Sequence, residues 1–158
     1  HNGILADEYS RWTAEGIYPS ADVANHIHPV FGRRMRVEHW QNAIKQGAAA
    51  ARSMLGTGQP YDAIHWFWSD QYDANLQYAG FHHEWDRLVV RGSLERRSFL
   101  AFYLNQGRID AVVALNRGKD VRRAMPLIRS RGLVDPERLK DENIDLRTLA
   151  PAPTGGGQ

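Results

Sequence analysis

Trp66 and Trp68 stand two residues apart, with Phe67 between them and Ser69-Asp70 behind. In a strand, that spacing puts both indoles on one face. An indole can lie against a conjugated ring, so the pair could form a platform for a planar ligand. Core packing or a domain interface would use the same spacing. Glu38, His39 and Trp40 open a helical pattern. The free N–H groups and positive dipole end of such a start suit a negatively charged ligand, or simply a cap. Asp22, followed by Val23, reads as the end of a strand; its carboxylate could bind a ligand hydroxyl or cap a turn. His26-x-His28 and His82-His83 are metal-ligand types, but no third or fourth ligand stands at a recognisable spacing. Adventitious or surface roles are therefore expected, and no metal. No Ser/His/Asp arrangement stands out, and there is no G-x-G-x-x-G, P-loop or G-x-S-x-G. Any nucleotide cofactor would have its phosphates gripped by residues outside this sequence.

The positioning elements follow from periodicity and breakers. Gly16 to Ala24 reads as a short strand and a turn or helix start, and Asn25 to Arg36 as a polar loop. Trp40, Ala43, Ile44, Gly47, Ala48, Ala51, Met54 and Leu55 then recur at helical spacing and predict an apolar face, ended by Gly56 and Gly58. From Gln59-Pro60 the pattern changes to strands over 76–81, 87–91, 98–104 and 108–115, with Asn105-Gln106-Gly107 as a hairpin connection. The last two are apolar on both faces, as a central, covered hairpin would be. Asp120 to Arg131 reads as a helix limited or kinked by Pro126, and Asp135-Pro136 as a capped helix start. Strands segregated from helices predict an α+β fold: an antiparallel meander with flanking helices, preceded by one strand and helix of another domain.

Composition bounds the partners. The 158 residues carry 20 Lys plus Arg against 18 Asp plus Glu, a net +2, with no run of five or more like charges, so nucleic-acid binding is not expected. No apolar run approaches membrane-spanning length, so no membrane association is expected. Zero cysteines exclude thiolate metal sites and iron–sulfur ligation within this sequence, and suit a reducing, cytoplasmic setting.

Several segments together resemble one family. Gly16-Ile17-Tyr18-Pro19-Ser20-Ala21-Asp22-Val23-Ala24 is similar to the "GDVA" segment of FAD-dependent pyridine nucleotide–disulfide-type reductases. Arg36 to Ala43 with Gln46-Gly47, and Trp66-Phe67-Trp68-Ser69-Asp70-Gln71, narrow this to the ferredoxin and rubredoxin reductase branch, which includes relatives of apoptosis-inducing factor. Arg91-Gly92 and the hairpin over 99–116 fit that branch's C-terminal domain.

The resemblance implies electron flow from NAD(P)H through FAD to an iron–sulfur ferredoxin or rubredoxin. It implies that Asp22, with Val23, meets the flavin's ribityl or phosphate region. Glu38, His39 and Trp40 would open the helix facing the flavin's pyrimidine edge, and Trp68 would lie by the isoalloxazine and nicotinamide. Ala21 departs from the family's Gly, and His65 from a common Pro. The expected organisation is the C-terminal remnant of an FAD-binding domain over 1–58, the reductase C-terminal domain over 59–150 and a disordered tail over 151–158. On this reading the chain starts as if cut from something longer, and is inactive without the rest of the reductase chain. The alternative is a cofactor-free interaction module, including a homodimer.

Overall fold

The computed structural model describes residues 2–149, so the expected tail lies outside the described residues. The chain divides into two compact units, His1–Phe67 and Trp68–Gln158. The change of sequence pattern, by comparison, falls at Gln59-Pro60. No helix among the described residues is long and apolar enough to cross a membrane.

The first unit holds a three-stranded sheet of β1 (Ile4–Ala6), β2 (Ala24–His28) and β3 (Arg33–Met35). β1 runs parallel to β2, and β3 antiparallel to it, with His26 opposite Met35. A 3-10 turn at Ala21–Val23 leads into β2. The strand therefore begins at the end of the stretch expected to hold it and runs on into the stretch that reads as a polar loop. Its alternation is real: Ala24, His26 and His28 are buried, while Asn25 and Ile27 are only partly so. Two of the three inward residues are histidines, so hydropathy conceals the period of two.

Helix α1 (Trp40–Met54) starts where the sequence predicts, but its covered face is the other one. Asn42, Gln46, Ala49 and Ala50 are buried. Trp40, Ile44 and Leu55 are 71%, 54% and 78% exposed. Two buried amides find hydrogen-bond partners inside, so polar satisfaction rather than hydropathy sets which side faces in. The helix ends as expected, with Gly56 at φ +73° and the Thr57 amide reaching back to the Arg52 carbonyl at 3.0 Å.

A five-stranded sheet holds β4 (Trp66–Gln71), which belongs to the second unit from Trp68 on, with β5 (Ala74–Gly80), β6 (Arg87–Ser93), β7 (Ser98–Asn105) and β8 (Arg108–Leu115), in the order β4-β5-β8-β7-β6. The ladders β5–β8, β8–β7 and β7–β6 are antiparallel. The hairpin read as doubly covered is central, with Leu100, Phe102, Leu104, Ile109 and Val112 fully buried. Its turn takes both Gln106 and Gly107 to positive φ. Helix α2 (Gly118–Ser130) covers β8 and β5 through Val121, Ala124, Leu127 and Ile128. It runs through Pro126, which sits on its exposed side. Helix α3 (Pro136–Lys140) has the expected cap, the Asp135 carboxylate accepting from the Glu137 amide at 2.9 Å.

Arg91 of β6 ties the end of this unit to its sheet. The side chain is buried, and its two terminal nitrogens donate to the carbonyls of Leu139 (3.1 Å), Asp141 (2.6 Å), Glu142 (3.3 Å) and Ile144 (2.6 Å). A planar guanidinium can serve four carbonyls at once; a lysine ammonium cannot. Burial pulls the Arg91 pKa down from its ordinary value. Replacing Arg91 with Met orphans the carbonyls and should cost about 3 kcal/mol of stability, with Arg91→Lys recovering only part. Urea midpoints and amide exchange over 139–146 measure this; unchanged exchange there would show that Arg91 does not hold the segment.

Candidate functional site

Arg36 gathers the residues singled out in the first unit. One terminal nitrogen donates to the Asp22 carbonyl at 2.7 Å and pairs with the Glu38 carboxylate. Its Nε donates to Asn2 Oδ1 at 2.7 Å. Asp22 and Glu38, sixteen residues apart in number, are thus fixed around one guanidinium. Arg36 opens one of the segments that carry the resemblance, but its part in holding Asp22 and Glu38 is not legible from spacing. His39 is the N-cap residue of α1, in extended conformation, and its side chain caps nothing. Its ring lies 4.6 Å from the Phe67 ring, tilted by 53°. Burial lowers the His39 pKa, and the nearby charge of Asp22 opposes that shift. Asp22 and Val23 are exposed on the 3-10 turn, and Trp40 is exposed at the first helical position. The structure therefore brings Asp22, Glu38 and His39 together, with Val23 and Trp40 as their chain neighbours. Trp68 lies in the second unit on β4, 44% exposed.

Behind this surface lies a buried polar chain. The Ala21 amide donates to Gln46 Oε1 at 2.9 Å. Asn42 Nδ2 donates to the same oxygen at 3.3 Å and to the Val37 carbonyl at 3.0 Å. The Tyr61 hydroxyl donates to Asn42 Oδ1 at 2.9 Å. Burial pushes the Tyr61 phenol pKa up, which keeps it a neutral donor.

The histidines differ from expectation. His26, His28 and His65 are all buried, with ring centroids 5.2 to 6.0 Å apart. His28 Nε2 lies 3.0 Å from the Ala63 carbonyl, and His65 Nε2 3.2 Å from Met35 Sδ. No group of three or more His, Cys, Asp or Glu suited to a metal occurs among the described residues. Surface roles are thus corrected for His26 and His28: they line the interior because β2 alternates through them. In the second unit, His82 stacks on Tyr103 (4.2 Å, 13°) and its Nδ1 lies 2.8 Å from the Tyr78 hydroxyl.

The family described as Reductase C-terminal matches residues 66–150. The chain belongs to this family. The ferredoxin–NAD(+) reductase component of the anthranilate 1,2-dioxygenase system of Burkholderia cepacia is 40% identical over 149 residues, covering 94% of this chain and 37% of that protein. The ferredoxin reductase for the CYP199A2 system from Rhodopseudomonas palustris superposes with a TM-score of 0.85 at 35% identity, covering 94% of this chain and 37% of that one. The reductase in the covalent putidaredoxin reductase–putidaredoxin complex superposes with a TM-score of 0.87 at 33% identity, covering 94% and 36%. The resemblance read from the aromatic and helix-opening motifs is thus shown, as is the α+β fold. The chain spans a little over a third of the length of these relatives.

The buried imidazoles give this member of the Reductase C-terminal family a pH dependence. Burial first, and the neighbouring His28 second, lower the pKa of His26 to about 4 and of His65 to about 2. An unfolded imidazole titrates near 6.5. The unfolded chain therefore binds the proton first, and stability present in full above that pH falls as the medium is acidified. Each group should remove about 1.4 kcal/mol per pH unit below 6.5, down to its own folded pKa. Denaturant melts of the first unit between pH 7 and 4.5 check this, and a flat profile would contradict it.

Proposed function

We propose that this chain is the C-terminal part of a reductase that moves electrons from NAD(P)H through FAD to a ferredoxin- or rubredoxin-type iron–sulfur protein. One observation carries the reading: the α1 start, where the N-cap residue His39 makes no side-chain cap bond, sits beside an exposed Asp22 whose carbonyl Arg36 holds. Those groups fit a flavin. A carboxylate accepts hydrogen bonds from ribityl hydroxyls, and first-turn amides favour an electron-rich ring edge. FAD would supply hydride acceptance from the nicotinamide and release of single electrons.

Within that reading, Asp22 and Val23 hold the ribityl region. Glu38, His39 and Trp40 present the helix start to the ring. The Trp68 indole positions the nicotinamide and shields the ring from water. The putidaredoxin reductase–putidaredoxin complex among the similar structures supports a ferredoxin-type partner. The absence of cysteine suits a cytoplasmic setting and a relay that uses no redox disulfide.

The phosphate-gripping glycine motif is absent from this sequence, so the isolated chain should copurify without stoichiometric flavin and should not oxidise NADH. In the reductase that carries this chain, Asp22→Ala should weaken FAD binding about tenfold or more, a loss of about 1.4 kcal/mol. Flavin fluorescence titration reads this directly. Undiminished FAD affinity in Asp22→Ala would remove Asp22 from the site.

A further inference from the structure

We propose that Gln46 is a positioning residue: from the buried side of α1, its carbonyl holds Ala21 in a left-handed backbone conformation and so presents Asp22 to the flavin. The inference rests on the flavin reading above.

Ala21 has φ +61°. That region clashes with a Cβ and is where the resembling reductases carry glycine. A non-glycine residue stays there only when its surroundings over-determine it. Two side chains do so here. The Ala21 amide donates to Gln46 Oε1 at 2.9 Å, and Arg36 takes the carbonyl of the next residue, Asp22, at 2.7 Å. The peptide between Ser20 and Asp22 is thus gripped from inside by Gln46, and the turn is gripped from outside by Arg36.

The orientation of the Gln46 amide is dictated by this task. Oε1 also accepts from Asn42 Nδ2, while Gln46 Nε2 is buried without a hydrogen-bond partner. A buried donor left unmade is costly. Flipping the amide would set its NH2 group against two donors, the Ala21 amide and the Asn42 NH2. The arrangement therefore leaves both N–H donors of Gln46 Nε2 unmade in order to keep its acceptor on Ala21. Asn42 is itself oriented by Tyr61 and Val37, so the acceptor has a fixed backing.

A cycle of variants in the reductase that carries this chain tests the proposal, with FAD affinity and amide exchange as readouts. Gln46→Leu removes the acceptor at similar volume and should weaken FAD about tenfold, the worth of one such hydrogen bond. It should also speed exchange at Ala21, Asp22 and Val23. Ala21→Gly on top of Gln46→Leu should restore most of the affinity, because glycine adopts the left-handed conformation unaided. A general loss of stability would not be repaired by that change. Gln46→Glu, which keeps the acceptor, should bind FAD nearly as the unaltered protein does. Gln46→Asn, whose carbonyl falls short by one methylene, serves in place of Gln46→Leu if the latter fails to fold. Unchanged FAD affinity in the acceptor-less variant, or no recovery on adding Ala21→Gly, would overturn the role of Gln46. If the unaltered reductase binds no FAD, the flavin reading fails instead. Exchange at Ala21–Val23 in Gln46→Leu then still decides whether the clamp exists.

Discussion

The Gln46 carbonyl lies in the interior of the first unit with two N–H donors on it, and the arrangement around it follows from that fact. Ala21 reaches it across 25 residues and Asn42 across four. Asn42 in turn receives the Tyr61 hydroxyl across 19 residues. Three stretches of chain, the turn before β2, helix α1 and the segment after it, are joined through two amide side chains. Buried polar groups are tolerated only when paired, so these bonds decide which side of α1 can face inward. The side left outside is the apolar one, with Trp40, Ile44, Met54 and Leu55 exposed. Hydrophobic burial alone, worth roughly 1.5–3 kcal/mol for each large side chain, would have turned the helix the other way.

The second unit solves a similar problem with a charge. Arg91 is drawn into its interior by four carbonyls of 139–144, a stretch lying between and alongside two short helical pieces, α3 and the 3-10 turn at Leu146–Leu149. In both units a long polar side chain replaces the regular backbone ladder as the device that orders an irregular segment. Each works because its hydrogen-bonding geometry is directional, whereas apolar contact would leave several registers open.

How much was legible in the sequence follows from this contrast. Strands β5 to β8, the central hairpin, the α2 contact face and the Asp135 cap were readable, because alternation, breakers and capping chemistry are local signals; β4 was not, since Trp66-Phe67-Trp68 reads as an aromatic cluster with no alternation. The first unit was less so. β2 hides its alternation behind His26 and His28, and α1 hides its inner face behind Asn42 and Gln46. Asp22, Glu38, His39 and Trp40 came into view through family resemblance and the helix-start pattern. Arg36 and Gln46 stand in segments that carry the resemblance, but their roles were not readable there, since they act on Asp22 and Ala21 from 14 and 25 residues away, and no local spacing records such a contact. Ala21 was visible as a departure from glycine, but its left-handed backbone and the acceptor that fixes it emerged only in three dimensions.

On the flavin reading proposed above, the turn at Ala21–Val23 and the start of α1 together form the flavin-facing surface of this chain. Amide exchange of the reductase that carries it, with and without FAD, tests this most directly. Exchange should slow at Ala21–Val23 and at Trp40–Asn42 when FAD is present, and should not change over the Arg91-held segment at 139–144. Protection confined to other parts of the chain, or absent from both the turn and the helix start, would contradict it.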